Sequence, residues 1–364
     1  MGRVLRKLFT MSFVLAAVGM LVSGSFVGAL HDPTPHRLAV GVVGPAPELG
    51  SLMDSAFTQR EQGSLVLVPY GSEAEARTAI LSRNLDGALV LEPPTGQRLI
   101  FAGAAGRFAG QVLTTAFGNE AAITGQRLTV QDIDPLPTQD LNGISALYFI
   151  FGIALSSVIF GVAIARTVGR RLQPFALIAV YGAFSVLVAA GTTWVVDGMI
   201  GALTTAPAAL FGVGTLIAFG VSTVSGVLGR VTGIPGAAAF GLLVISIGMP
   251  AAGGPFGSEF IPSWYAHLGS DLPVGAGVPA IRNIVYFNGN TLGFPLTILS
   301  VWAGVGLAAL LLLGVVTRRR KAAAAAGAGA SSAPLPMHTL AKVNSRDPQA
   351  AASEAPLAGG TPAS

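Results

Sequence analysis

The chain has 364 residues, of which 52% are hydrophobic and only 10% charged, where an ordinary soluble domain carries about a quarter charged residues. It contains no cysteine, which removes disulfides, thiolate metal sites and cysteine nucleophiles from consideration. The net charge is +4, but the basic residues flank apolar runs and form no stripe on a soluble face, so nucleic acid is excluded as a partner.

A basic leader, Met1–Lys7, precedes a charge-free run from Leu8 to Leu30. The run is longer than the roughly 7–15 apolar residues of a signal peptide, and no Ala-x-Ala site precedes His31. An uncleaved signal-anchor helix is therefore expected. Residues 31–143 then bring charges, prolines and alternating apolar runs. Strands are predicted at Leu38–Val43, Leu65–Val68, Ala88–Leu91, Leu99–Ala102 and Leu128–Ile133, with Pro93-Pro94-Thr95-Gly96 turning between the third and fourth. Helices are predicted at Pro47–Gln59, from the capping box Ser72-Glu73-Ala74-Glu75 to about Asn84, and over Phe108–Phe117. The order β-α-β-α-β-β-α-β implies a small α/β domain with a mixed sheet.

Five further spans are predicted: Ile144–Ala165, Pro174–Val196, about Ala208–Leu228, about Gly233–Pro250, and Pro295–Val316. Residues 251–294 read as a long Gly- and Pro-rich loop. The tail after Arg318-Arg319-Arg320-Lys321 is Ala/Gly/Ser/Pro-rich and is expected to be disordered. With the N-terminus inside, the leader, Arg166–Arg171, Arg230 and the final basic cluster all fall inside, as the positive-inside rule requires. The α/β domain, Asp197 and the 251–294 loop then fall outside. The expected fold is a mainly α-helical polytopic membrane protein with six transmembrane helices and an inserted extracytoplasmic α/β domain. Its parts are 1–30 (leader and first span), 31–143 (α/β domain), 144–317 (five-helix membrane domain) and 318–364 (basic cluster and tail). The compartment implied is the inner membrane of a bacterium, with both termini cytoplasmic.

The residue inventory argues against an enzyme. Histidines stand at 31, 36, 267 and 338, none within a predicted span, so an intramembrane serine hydrolase has no base. An aspartyl protease needs two membrane carboxylates close together, and only Asp197 lies near a span. No H-E-x-x-H occurs, and no metal or other cofactor is expected. The lysines, Lys7, Lys321 and Lys342, are in no G-K-[ST] context, which excludes a P-loop, and Gly41-Val42-Val43-Gly44 lacks the dinucleotide-binding spacing. No carboxylate or histidine lies centrally in a span, which argues against a charge relay. Small-residue pairs, Gly24-x-x-x-Gly28 and Ser157-x-x-x-Gly161, and the patch Gly220-Val221-Ser222 are read mainly as helix packing, with dimerisation as a second use of the pairs.

Trp264, Tyr265 and Tyr286 suit a headgroup layer, and Phe260–Leu268 is expected to lie along the surface or to dip in as a re-entrant element. Asp197, Glu259, Asp271 and Arg282 are the candidates for an outer mouth. Arg166, Arg170 and Arg171 are the candidates for an inner contact with a partner or anionic lipid.

Three segments carry a family resemblance: His31-Asp32-Pro33 leading into Leu38–Gly44, Pro255-Phe256-Gly257 with Ile261-Pro262-Ser263-Trp264, and Leu272-Pro273 with Arg282-Asn283. With the span layout over about Met1–Lys321, they resemble the membrane subunits of type-2 ABC transporters, in the phage-infection-protein-like branch and related actinobacterial proteins. The resemblance implies export of a lipid, drug, peptide or envelope component by a homodimer driven by a separate ATPase. The short leader and the short loop Arg166–Gln173 depart from that pattern, in which larger cytoplasmic elements meet the ATPase. The expected function is export of a hydrophobic or amphipathic substrate. The alternative is a membrane-anchored receptor or envelope scaffold that binds a partner through residues 31–143.

Overall fold

A computed structural model describes residues 2–44, 64–92, 96–167 and 172–331 of the chain. The predicted helix Pro47–Gln59, most of the turn at Pro93–Gly96, Arg170, Arg171 and the tail from residue 332 lie outside the described residues. The chain forms two units, Met1–Gly314 and Val315–Ser364.

Helix α1 (Gly2–Leu30) leads into five strands: β1 (Leu38–Val43), β2 (Leu65–Tyr70), β3 (Gly87–Glu92), β4 (Gly96–Phe101) and β5 (Leu128–Asp132). They form one mixed sheet in the order β2-β1-β3-β4-β5; only the β3–β4 pair is antiparallel. Period-two alternation sends Leu38, Val40, Leu89 and Leu99 to one face, where α3 (Arg107–Thr124) covers them with Leu113 and Phe117. Ala88, Val90 and Ile100 point to the other face, under α2 (Glu73–Leu81) with its Ala76 and Ile80. The Ser72 hydroxyl accepts from Glu75 N at 3.2 Å, which is the N-cap half of the predicted capping box. The helix stops three residues short of Asn84, and Arg83 follows it with φ 63°.

Among the described residues, six helices are long and apolar enough to cross a membrane: Gly2–Leu30, Ser145–Thr167, Pro174–Met199, Pro207–Val231, Ile234–Ala251 and Gly293–Ala324. We label the last five α4 (Ser145–Thr167), α5 (Pro174–Thr193, prolonged by a π turn Trp194–Met199), α6 (Pro207–Val231), α7 (Ile234–Ala251) and α10 (Gly293–Ser331). Small residues set their packing. On α4 and α6, Phe149 and Ile153 meet Gly214, Gly161 meets Ser222 and Gly226, and Ala165 meets Gly229, so these helices run parallel. Gly220 meets Trp302 and Thr223 meets Gly306, so α6 and α10 are parallel too. Helix α5 runs the other way, with Tyr181 over Gly226 and Ala189 beside Gly214. Successive spans therefore alternate in direction. Arg166 and Arg230 lie at the end of the bundle away from the sheet.

Helix α7 contains a π turn, Leu243–Ile247, just before Pro250. Proline has no N–H, so it cannot supply the helical donor to the Ser246 carbonyl four residues back. The hydroxyl of Ser25 on α1 donates to that carbonyl and also meets the Tyr265 hydroxyl. By contrast Gly24 and Gly28 face open space.

The segment expected to be a loop at 251–294 is largely helical. After a turn at Ser258–Phe260 it forms a helical hairpin, α8 (Ser263–Ser270) and α9 (Pro273–Tyr286). Most of α9 is buried, and its Gly277 fits between Ile150 of α4 and Ile217 of α6. The Trp302 indole donates to the Asp271 carbonyl at the hairpin tip, 2.8 Å away. Trp302 lies nine residues into α10, so the tip reaches ~14 Å along that helix before the chain turns back to the sheet. Both faces of the sheet are completed from this segment: Phe260 and Phe256 join the α3 side, and Phe287 and Tyr286 the α2 side. Of the three rings expected at a headgroup layer, Trp264 is exposed, whereas Tyr265 is buried against α1 and Tyr286 is half-buried. The last helix runs past the basic cluster to Ser331, later than the expected end at residue 317, because the alanine tract from Ala322 favours helix.

Candidate functional site: a groove between sheet and helices

Two charged residues fix the joint between the sheet and α4. Asp140, 4% exposed, ends a short 3₁₀ turn, Thr138–Asp140. Its Oδ1 accepts from Ile144 N at 3.1 Å and Ser145 N at 3.2 Å, satisfying donors at the start of α4 that the helix itself cannot pair. Its Oδ2 accepts from the Tyr286 hydroxyl at 3.2 Å. Arg282, 6% exposed, donates from Nη1 to the Ala105 carbonyl at 3.2 Å and from Nη2 to the Gly143 carbonyl at 3.0 Å. One guanidinium on α9 thus holds the sheet layer and the approach to α4 together.

Around this joint lie three adjoining cavities. The largest, about 760 Å³, is bordered by Phe101, Gly103, Arg107, Gln111, Thr114, Asp132 and Leu141. A second, about 390 Å³, shares Arg107 and Gln111 with it and adds Phe108, Asn142 and Phe256. A third, about 360 Å³, shares Leu141 with the first and Asn142 with the second, and reaches Tyr148 on α4 and Val196 and Ile200 at the end of α5. They adjoin one another through these shared residues and make one groove, each part of it lined by both polar and apolar side chains.

Several local choices shape its polar end. Gly103 and Gly110 leave room where a methyl group would strike the Asp132 carboxylate or the Phe101 ring. Asp132 Oδ1 accepts from Gly103 N at 2.8 Å and Asp134 N at 3.2 Å. Burial, and then the charge of Asp132, push the Asp134 carboxyl up to about 6, and its Oδ2 is buried with no hydrogen-bond partner. Arg107 is exposed, and its Nη1 stands 3.4 Å from the Leu141 carbonyl and from Asn142 Oδ1. Near the joint, burial and the Glu259 carboxylate push Asp86 up to about 6, although its Oδ2 accepts from Ala39 N at 2.8 Å.

The residues singled out from sequence are dispersed. Arg282 and Glu259 share one electrostatic neighbourhood beside the joint. Asp271 is exposed at the hairpin tip, and Asp197 sits in the π turn that ends α5. Arg166 is exposed at the far end of α4. The groove residues Arg107, Asp132, Asn142 and Tyr148 were not singled out, because tertiary contact alone brings them together. One signal was readable: Arg107 puts a cation in the first turn of α3, against the helix dipole, and such breaches of a local rule often mark function. In comparisons with known proteins, the chain matches no family model and shows no significant similarity to a curated protein.

Proposed function

We propose that the chain is a polytopic protein of a bacterial plasma membrane that acts as a permease, exporting a hydrophobic or amphipathic substrate. The sheet faces outward and both termini face the cytoplasm. The observation that carries this reading is the groove, which sets the charged Arg107 and Asp132 beside the sheet and Tyr148, Val196 and Ile200 at the ends of α4 and α5. An amphipathic molecule leaving the bilayer between those helices meets this sequence of surfaces in order. The alternating spans and the basic residues at the end away from the sheet support the orientation. Arg282 and the aromatic rings of 251–294 link the sheet to α4 and α6, so movement at the groove is transmitted to the spans. Energy comes from a separate ATPase acting on a dimer, as the resemblance to type-2 ABC permeases suggests.

Reconstitution tests the proposal. Purified protein in liposomes, supplied with its cognate ATPase, should move a fluorescent amphiphile outward and stimulate ATP hydrolysis. No movement, together with tight retention of an envelope partner by residues 31–143, would establish the receptor alternative instead.

A further inference from the structure

The three cavities differ in what they offer a ligand, and the differences fall in order along the groove. Asp132 borders the largest cavity and neither of the others. Arg107 borders two of them, and its Nη1 is 3.4 Å from both Leu141 and Asn142, the residues that connect to the third. Its guanidinium therefore stands where the three meet, and among the described residues it makes no ion pair. Beyond it come Tyr148 and Ile200, large apolar surfaces 57% and 59% exposed. Along the groove the side chains run from the Asp132 anion to the Arg107 cation and then to the exposed faces of Tyr148 and Ile200, with Asn142 and Thr192 beside them.

We propose that this groove binds a membrane amphiphile whose head carries both a phosphate and a primary amine. Arg107 holds the phosphate, Asp132 takes the ammonium, and Tyr148 and Ile200 line the start of the chain. The inference rests on the amphipathic-substrate reading above and names the head group. A planar guanidinium offers paired donors to phosphate oxygens, and the N-terminus of α3, which Arg107 opens, adds partial positive charge. Asp132 and Asp134 repel one another at the far end, and an ammonium placed there offsets that repulsion. A head with phosphate alone brings no counter-charge to the Asp132 carboxylate, and a quaternary amine has no N–H to donate.

The test uses the purified full chain in mild detergent, incubated with phosphatidylethanolamine, phosphatidylglycerol or phosphatidylcholine, with retained lipid read by native mass spectrometry. The wild type should retain phosphatidylethanolamine about threefold better than either competitor, the scale of one ion pair at an exposed carboxylate. R107Q should lose phosphatidylethanolamine and phosphatidylglycerol alike, with R107K recovering part of both. D132N should bring phosphatidylethanolamine down to the phosphatidylglycerol level and leave the latter unchanged, with D132E restoring the preference. Equal retention of the three lipids, or a preference that survives both R107Q and D132N, would overturn the proposal. So would full displacement by equimolar water-soluble phosphoethanolamine, since Tyr148 and Ile200 would then contribute nothing. Head-group selectivity without transport would refute the permease reading and leave the site, whereas transport without selectivity would do the reverse.

Discussion

At the residue scale, the informative groups are polar side chains held where water is scarce. Asp134 has its carboxyl raised to about 6 by burial and by Asp132, above the ordinary value of 3.8. Between those values the folded protein binds more protons than the unfolded chain, so this contribution to stability is fully present below about pH 4. It is lost as the pH rises through about 6. D134N removes the charge and should therefore stabilise the protein at pH 7.5, by on the order of 1 kcal/mol once the group's partial exposure is allowed for. The difference between variant and wild type should vanish at pH 4. Thermal unfolding in detergent across that range checks it, and a constant offset at every pH would contradict the assignment. Arg282 illustrates the opposite case. It is buried, and its two carbonyl partners belong to segments more than a hundred residues away in sequence.

At the element scale, short-range patterns were legible and long-range packing was not. The strand alternation, the Ser72 cap and the charge-free runs each follow from neighbours along the chain, and each appears close to its predicted bounds. Helix α9 was hidden because Pro273, Gly275, Gly277 and Pro279 carry low helix propensity and read as loop. In place, Pro273 opens the helix, and the two glycines admit the Gly269 backbone and the Ile150 and Ile217 side chains. The groove was hidden for a similar reason, since its walls come from α3, β5, α4 and α5. Ser25 and Pro250 give a test of packing at this scale. S25A should cost about 1 kcal/mol of stability, because it removes the donor to the Ser246 carbonyl. P250A restores a backbone N–H to that carbonyl, so the cost of S25A should fall by at least half in the P250A background. The same cost in both backgrounds would show that the hydroxyl does not stand in for the missing amide.

At the scale of the whole molecule, the sheet layer and the helices from α1 to Gly314 belong to one unit. The 251–294 hairpin is the reason: it adds rings to both faces of the sheet and inserts α9 against α4 and α6. A freestanding outer domain would move independently of the spans, whereas this arrangement ties the groove to them. On the proposed function the spans lie in a bilayer with the sheet outside. The natural chain has no cysteine, so single cysteines report position without background labelling. Thr129 on β5 and Thr232 after α6 are both exposed, and the alternating span directions put them at opposite ends of the bundle. In intact cells a membrane-impermeant maleimide should label T129C and spare T232C until the membrane is permeabilised. Labelling of both positions in intact cells, or of T232C alone, would contradict the account.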